Sequence, residues 1–240
     1  MANSSNSIIF GRNPVKEALK ASRVNAVLVS ESFSDKEIID TINLQRLKLT
    51  RVSNGELDRL SERGKHQGIV AYIKPYEYLD LDEVIRRSKK VEVPIILVLD
   101  GINDPHNLGA ILRCSDIFNV SGVVIGKHNQ VTLNATVAKT SAGAINFVPV
   151  SMVNNINQAL SKLKDNGFWV VSSDGSASKN YQDIKYDFPV ALVIGSEGEG
   201  VSKLVVKNSD FVVKIPQFGH VNSLNASVAA GILLSRIRNQ

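Results

Sequence analysis

The chain has 240 residues, of which 43% are hydrophobic and 21% charged, with a formal net charge of +5 and a pI near 9.3. That is the make-up of a globular chain long enough for one large or two modest domains, and two are expected. A single cysteine, Cys114, excludes an internal disulfide; no run approaches the roughly 18 apolar residues of a membrane span, and Met1 to Asn6 is polar with no signal-peptide core. The expected location is therefore cytoplasmic, with no membrane partner. His66, His106, His128 and His220 are scattered without ligand spacing, so no metal is expected.

Asn13-Pro14 reads as a cap and first-turn proline opening a helix to Lys20, followed by a strand at 26–30. Ser34 to Glu37 and Ser53 to Glu56 have capping-box spacing before helices carrying Ile38, Ile39 and Ile42, and Leu57 and Leu60. Strands at 49–52 and 69–73 complete a small α/β unit over residues 1–74, with His66-Gln67-Gly68 as a structural turn. That segment holds 12 Lys/Arg against 8 Asp/Glu, whereas residues 91–240 hold 12 against 11. The excess suits a nucleic-acid-facing module, and a solvated surface nearly as well. Residues 75–92, with a short amphipathic piece at 81–85 and the basic run Arg86 to Lys90, are expected to be a linker.

From residue 93 onward strands and helices alternate: strand 95–99, helix 108–118, strand 122–125, helix 134–141, strand 147–150, helix 154–166, then strands at 169–172, 190–194 and 211–215. Near-continuous apolar strands such as PIILVLD and VALVIG require a sheet covered on both faces, so residues 93–240 are expected to form an α/β domain with a mainly parallel sheet flanked by helices. Sites in such sheets lie beyond the carboxyl ends of strands, and three strands here run into polar loops.

The first loop, Asp100 to Arg113, carries Asn107 as the expected helix cap and Arg113 six residues on, a fork of donors for an anion. Gly109 inside that helix costs about 1 kcal/mol relative to Ala, which argues for a close backbone approach. His106 reads as an ordinary loop histidine. The second loop, Gly195-Ser196-Glu197-Gly198-Glu199-Gly200, is neither the dinucleotide fingerprint nor a phosphate loop, and its carboxylates suit a ligand with positive charge or hydroxyl donors. The third runs from Pro216, which cannot continue a ladder, into a small-residue helix with Ser223 near its start. Its Asn222, Ser223, Asn225 and Ser227 carry more hydrogen-bonding capacity than one cap needs.

Asn107-x-Gly109-x3-Arg113, Gly195-x-Glu197-x2-Gly200, and Ile215-Pro216 followed by Ser223-Leu224-Asn225-x-Ser227 together resemble the three ordered motifs of the SpoU (TrmH-like) family of RNA ribose 2'-O-methyltransferases, in the SPOUT superfamily. Gly11-Arg12-Asn13-Pro14-Val15 and His66-Gln67-Gly68 are similar to the L30e-like substrate-binding domain of its bacterial 23S rRNA guanosine subgroup. Ala226 stands where that subgroup often has Val. The resemblance implies a SPOUT trefoil knot, a homodimer, S-adenosylmethionine as cofactor, and RNA, in the first place 23S rRNA, as partner. Carried over by position, Gly195, Ile215 and Leu224 resemble the cofactor contacts, with Ser173 and Pro216 beside them. Arg113, Asn107, Glu197, Ser223 and Asn225 resemble the catalytic set. Arg113 matches the family's essential arginine; a guanidinium with a pKa above about 12 is better suited to holding charge than to acting as a base. A tRNA methyltransferase is the alternative. A noncatalytic assembly factor would tolerate loss of Arg113 or Asn225, and a nicotinamide dehydrogenase would need the missing fingerprint.

Overall fold

The computed structural model describes residues 7–221 and 223–239; Met1 to Asn6 and Asn222, both singled out above, lie outside the described residues. Contacts divide the chain into two compact units, one running through Tyr76 and taking in Leu133–Asn146, the other comprising Glu77–Thr132 and the chain from Phe147 onward.

The first unit opens with β1 (Ser7–Phe10), which is too short to betray itself by alternation. Helix α1 (Arg12–Lys20) is capped by Gly11 at φ 92°, not by Asn13. Pro14 therefore falls in the first turn, where a missing N–H leaves no bond unmade. Then come β2 (Val24–Ser30), α2 (Lys36–Leu44), β3 (Lys48–Val52), α3 (Asn54–Leu60) and β4 (Ile69–Ile73). Asp35, one residue past the expected Ser34, caps α2 by accepting from the Ile38 N–H at 3.3 Å, while Ser53 caps α3 as its spacing foretold. The sheet order is β1-β4-β2-β3, with β4 antiparallel to both neighbours and β2 parallel to β3. Period-two alternation sorts the strands: Val27, Val29, Ile69 and Ala71 join the larger core with Leu19, Ile38 and Ile42, and Leu28 and Val70 join Leu57 on the opposite face. The 66–68 turn is indeed structural, for Gly68 N–H donates to His66 Nδ1 at 3.0 Å and Gln67 Oε1 accepts from Arg12 N–H at 2.9 Å.

In the second unit α4 (Leu81–Ser88) replaces the expected linker. Leu81, Val84 and Ile85, at helical spacing, are buried in the same cluster as Ile96, Val98, Leu160 and Val193, so the amphipathic piece is core. Val84 lies so close to Gly122 that an added Cβ there would sit 2.4 Å from its Cγ1. Next follow β5 (Ile95–Asp100), α5 (Pro105–Ile117) and β6 (Gly122–Gly126). Helix α6 (Ala135–Thr140), expected in the second domain, belongs to the first unit, where it packs on β1 and Ala135 meets the larger core. Then come β7 (Val150–Val153), α7 (Ile156–Asp165), β8 (Trp169–Ser173), β9 (Lys179–Asn180), β10 (Val190–Gly195), α8 (Lys203–Asn208), β11 (Phe211–Lys214) and α9 (Ala226–Arg238). Residues 147–149, expected as strand, precede β7, and Phe147 is exposed.

All pairings among these seven strands are parallel, in the order β7-β6-β5-β10-β8-β11-β9. Residues Ile96 and Val98 of β5 and Ala191 and Val193 of β10 face the cluster formed with α4, α7 and α8. The alternate residues Ile95, Leu97, Leu99, Val190, Leu192 and Ile194 are just as deeply buried, on the face where α9 packs on β10 and α5 on β6. Both faces are covered, which is why these strands read as unbroken apolar runs.

Tyr186, fully buried, donates its hydroxyl to Tyr181 O at 2.9 Å, and burial pushes its pKa up to about 12. The unfolded phenol ionises near 10, so its contribution to stability is complete below that pH and is lost as pH rises toward 12. Urea midpoints taken from pH 9 to 12 are expected to fall more steeply for the wild type than for Tyr186→Phe.

Candidate active site

The strand order reverses beside β5: the chain moves outward through β6 and β7 on one side, while β10 lies on the other. Asp100 and Gly195 stand opposite each other at the ends of β5 and β10, so the loops that follow leave the sheet together. Asp100 also fastens them, its Oδ2 accepting the Ser202 N–H at 2.8 Å. The sequence reading passed over this residue, although a carboxylate closing a buried strand is a detectable signal.

Helix α5 starts earlier than expected. Asp104 caps it by accepting from the His106 N–H at 2.8 Å, with Pro105 in the first turn. Asn107 is thereby released from the capping role assigned to it, and its buried amide serves another purpose. Asn107 Nδ2 donates to Glu197 Oε1 at 2.9 Å, its Oδ1 accepts from Asn225 Nδ2 at 2.9 Å, and Asn225 Nδ2 also donates to Glu197 Oε1. The three motifs thus close a ring of hydrogen bonds between residues up to 118 positions apart. Asn225, not Ser223, caps α9: its Oδ1 accepts from Ser227 N–H at 2.9 Å, Ser227 Oγ at 2.6 Å and Val228 N–H at 3.3 Å.

The loop after β10 folds tightly back on itself. Gly200, at φ 68°, donates its N–H to Ser196 O at 3.0 Å, and Glu199 N–H donates to Ser196 Oγ at 3.3 Å. A Cβ on Gly195 would lie 2.0 Å from Gly200 C and 2.2 Å from Val201 N. This glycine is therefore demanded by the chain's own backbone, whatever it contacts besides.

A cavity of about 370 Å³ opens between this loop, the turn after β8, the exit of β11 and the start of α9. Ser173, Gly195, Glu197, Ile215, Ser223 and Leu224 line it, as do Asp174, Glu199 and Gln217. Pro216, expected beside the cofactor contacts, is not among the lining residues; it follows β11 and precedes Gln217, which does line the cavity. Among the described residues, three carboxylates and no Lys, Arg or His line this space, and Ile215 and Leu224 supply apolar surface. Gly175 and Gly198 have open space where a Cβ would go. Such a cradle fits a compact ligand with positive charge and a flat apolar portion.

Arg113 is not brought into this cavity. It is exposed and lies six residues past Asn107, about 9 Å along the helix and about 120° round it. His106 is likewise exposed. Burial raises the Cys114 thiol pKa, the Arg113 charge opposing it, so the thiol is no ready nucleophile.

Parallel strands covered on both faces, with a loop-built cavity at their carboxyl ends beside an order reversal, define an α/β protein with a cavity of small-ligand size at its switch point. A family model described as "SpoU rRNA Methylase family" matches residues 94–235, and one described as "RNA 2'-O ribose methyltransferase substrate binding" matches residues 8–79. A Staphylococcus aureus protein named as a TrmH family tRNA/rRNA methyltransferase is 43% identical over 235 residues, covering 96% of this chain and 94% of its own. The chain belongs to the SpoU rRNA methylase family, a family of RNA methyltransferases. Among solved structures, an RNA 2'-O ribose methyltransferase superposes with a TM-score of 0.79 at 26% identity, over 98% of this chain and 88% of that one. An AdoMet-bound rRNA methyltransferase from Sinorhizobium meliloti shares the fold with a TM-score of 0.82 at 22% identity, over 97% and 87%.

Proposed function

We propose that this protein transfers a methyl group from S-adenosylmethionine to a ribose 2'-hydroxyl of RNA, in the first place of a guanosine in 23S rRNA. The observation that carries the reading is the Asn107–Glu197–Asn225 ring, which draws three distant loops to one point beside a cavity suited to a cationic ligand. S-adenosylmethionine has that chemistry: a sulfonium, an amino group and a flat adenine, with a methyl already activated for transfer. Glu197 and Asp174 favour the positive charge, and Ile215 and Leu224 give the ring apolar surface. Asn107 and Asn225 hold the Glu197 carboxylate in one orientation, so that little reorganisation is needed as charge moves.

The hydroxyl must be aligned and its developing negative charge held, which calls for a cation that the cavity of one chain lacks. Arg113 fits that need in a homodimer. It shares a face of α5 with Ala110, Cys114 and Ile117, and Ile117, on that face, and Val228 of the neighbouring α9 remain 66% and 48% exposed. Helix α9 packs on α5 beside Cys114, where a Cβ added at Gly231 would make ordinary contact with Sγ at 3.6 Å. A twofold pairing across these helices would carry each Arg113 to the partner's cavity. The reading further includes a trefoil knot formed by the C-terminal loops and an L30e-like first domain that holds RNA.

Mapping ribose methylation across total RNA with and without the protein tests this proposal. A guanosine in 23S rRNA is expected to change; a tRNA position would shift the substrate, and no change with labelled cofactor in any RNA would end the reading. Asn225 offers a sharper test. Asn225→Ala removes a cap, at about 1 kcal/mol of stability, whereas Asn225→Asp keeps the cap and sets a second carboxylate against Glu197. Both are expected to lose methyl transfer, and Asn225→Asp to melt below the wild type despite its intact cap, because the new carboxylate faces Glu197 Oε1 and Asn107 Oδ1 where an amide donated.

A further inference from the structure

The loop after β10 is a partition with a cavity on each side. Ser196, Gly198, Glu199 and Gly200 line the cavity described above and also a second one, of about 700 Å³, whose opposite walls are Asp100, Gly101, Asn103, Asn129 and Ser202. The placement of the cofactor leaves this second space without a role. Its walls are held from outside: Asp100 is tied to the Ser202 N–H, and Gly101, at φ 82°, donates its N–H to Gln130 Oε1 at 3.1 Å. Gly198 is the informative position. Its backbone does not lie in the left-handed region, and nothing stands within 4 Å of an added Cβ, so neither conformation nor protein packing demands glycine there. A bare Cα between two cavities is accounted for when a ligand approaches each side of it.

We propose that this second cavity receives the base of the nucleotide whose ribose is methylated, and that the base is guanine. The inference rests on the methyltransferase reading and extends it to the substrate. No Lys, Arg or His is among the described residues lining this cavity, so it is poorly matched to phosphate. The side chains present are two carboxylates, two amides and two hydroxyls, a set rich in acceptors. Uracil offers one N–H between two carbonyls, whereas guanine presents N1–H and its amino group side by side, matching the two oxygens of a carboxylate such as Glu199. The amides of Asn103 and Asn129 can meet the remaining polar edge, since each carries both donor and acceptor.

The test uses the intact protein, S-adenosylmethionine and an rRNA transcript carrying the mapped target. Asn103→Leu fills the cavity from an exposed position, and Asn129→Gly removes an amide while keeping the left-handed backbone at φ 52°. Neither residue lines the cofactor cavity. Each variant is expected to bind S-adenosylmethionine within about twofold of wild type by calorimetry, while KM for RNA rises about tenfold. Inosine in place of the target guanosine, lacking only the amino group, is expected to lower kcat/KM about tenfold. Wild-type protein that binds no cofactor would overturn the methyltransferase reading and this inference with it. Normal cofactor binding and RNA methylation, with KM unchanged in both variants or inosine fully accepted, would overturn this inference alone.

Discussion

Replacing Gly195 with valine is expected to weaken S-adenosylmethionine binding by about 10- to 100-fold, as read by calorimetry, with the circular dichroism of the fold retained. Even the first side-chain carbon would stand 2.0 Å from Gly200 C and 2.2 Å from Gly200 O and Val201 N, all main-chain atoms that no rotamer change can move aside. Relief requires displacing the 200–201 backbone, which breaks the Gly200–Ser196 bond and pulls on the Ser202–Asp100 tie. Overpacking of this kind costs about 1–3 kcal/mol, the same range as the predicted loss of affinity. The damage is confined to the loop at the carboxyl end of β10, so the buried strands remain. Wild-type affinity in Gly195→Val would show that this loop does not shape the cofactor cavity.

Arg113→Ala is expected to lower kcat by about 10²- to 10³-fold, the usual cost of removing one preorganised charge partner, with cofactor affinity and melting temperature unchanged. Its exposure makes the structural cost small: no hydrogen bond of the described structure depends on this guanidinium. Because it lies away from the cavity of its own chain, its action is expected in the partner's. Coexpressing Arg113→Ala with Glu197→Ala tests that directly. Mixed dimers would contain one intact site and one doubly altered site, and random pairing would restore about a quarter of wild-type activity. No recovery would place Arg113 and Glu197 in service of the same chain's site, and full activity of Arg113→Ala alone would remove the residue from the mechanism.

Much of the fold was legible because it is written locally. Apolar runs such as IILVL and VALVI announce buried parallel strands, and Ser53 caps the helix its spacing foretold. Elements too short to show a period were missed: β1 with four residues, β9 with two and α8 with six. The 81–88 segment was misjudged because its charged outer face dominates its composition, while the three apolar residues that bury it occupy only one side of a helix. Asn107 was misassigned for a similar reason: Asp104 and Asn107 can both cap, and the choice depends on whether a distant Glu197 is waiting for the amide.

By itself the sequence determined which stretches carry chemistry, since glycines, prolines, caps and amide-rich turns act through their immediate neighbours and leave one-dimensional marks. Only the tertiary structure decided what those stretches do to one another. Glu197 meets Asn107 and Asn225 because β10 inserts next to β5; Gly195 is required because residues 200 and 201 return across it; and helix phase turns Arg113 away from the cavity it was expected to serve. Each of these depends on positions brought together by sheet order and backbone path, and no local periodicity encodes such a meeting.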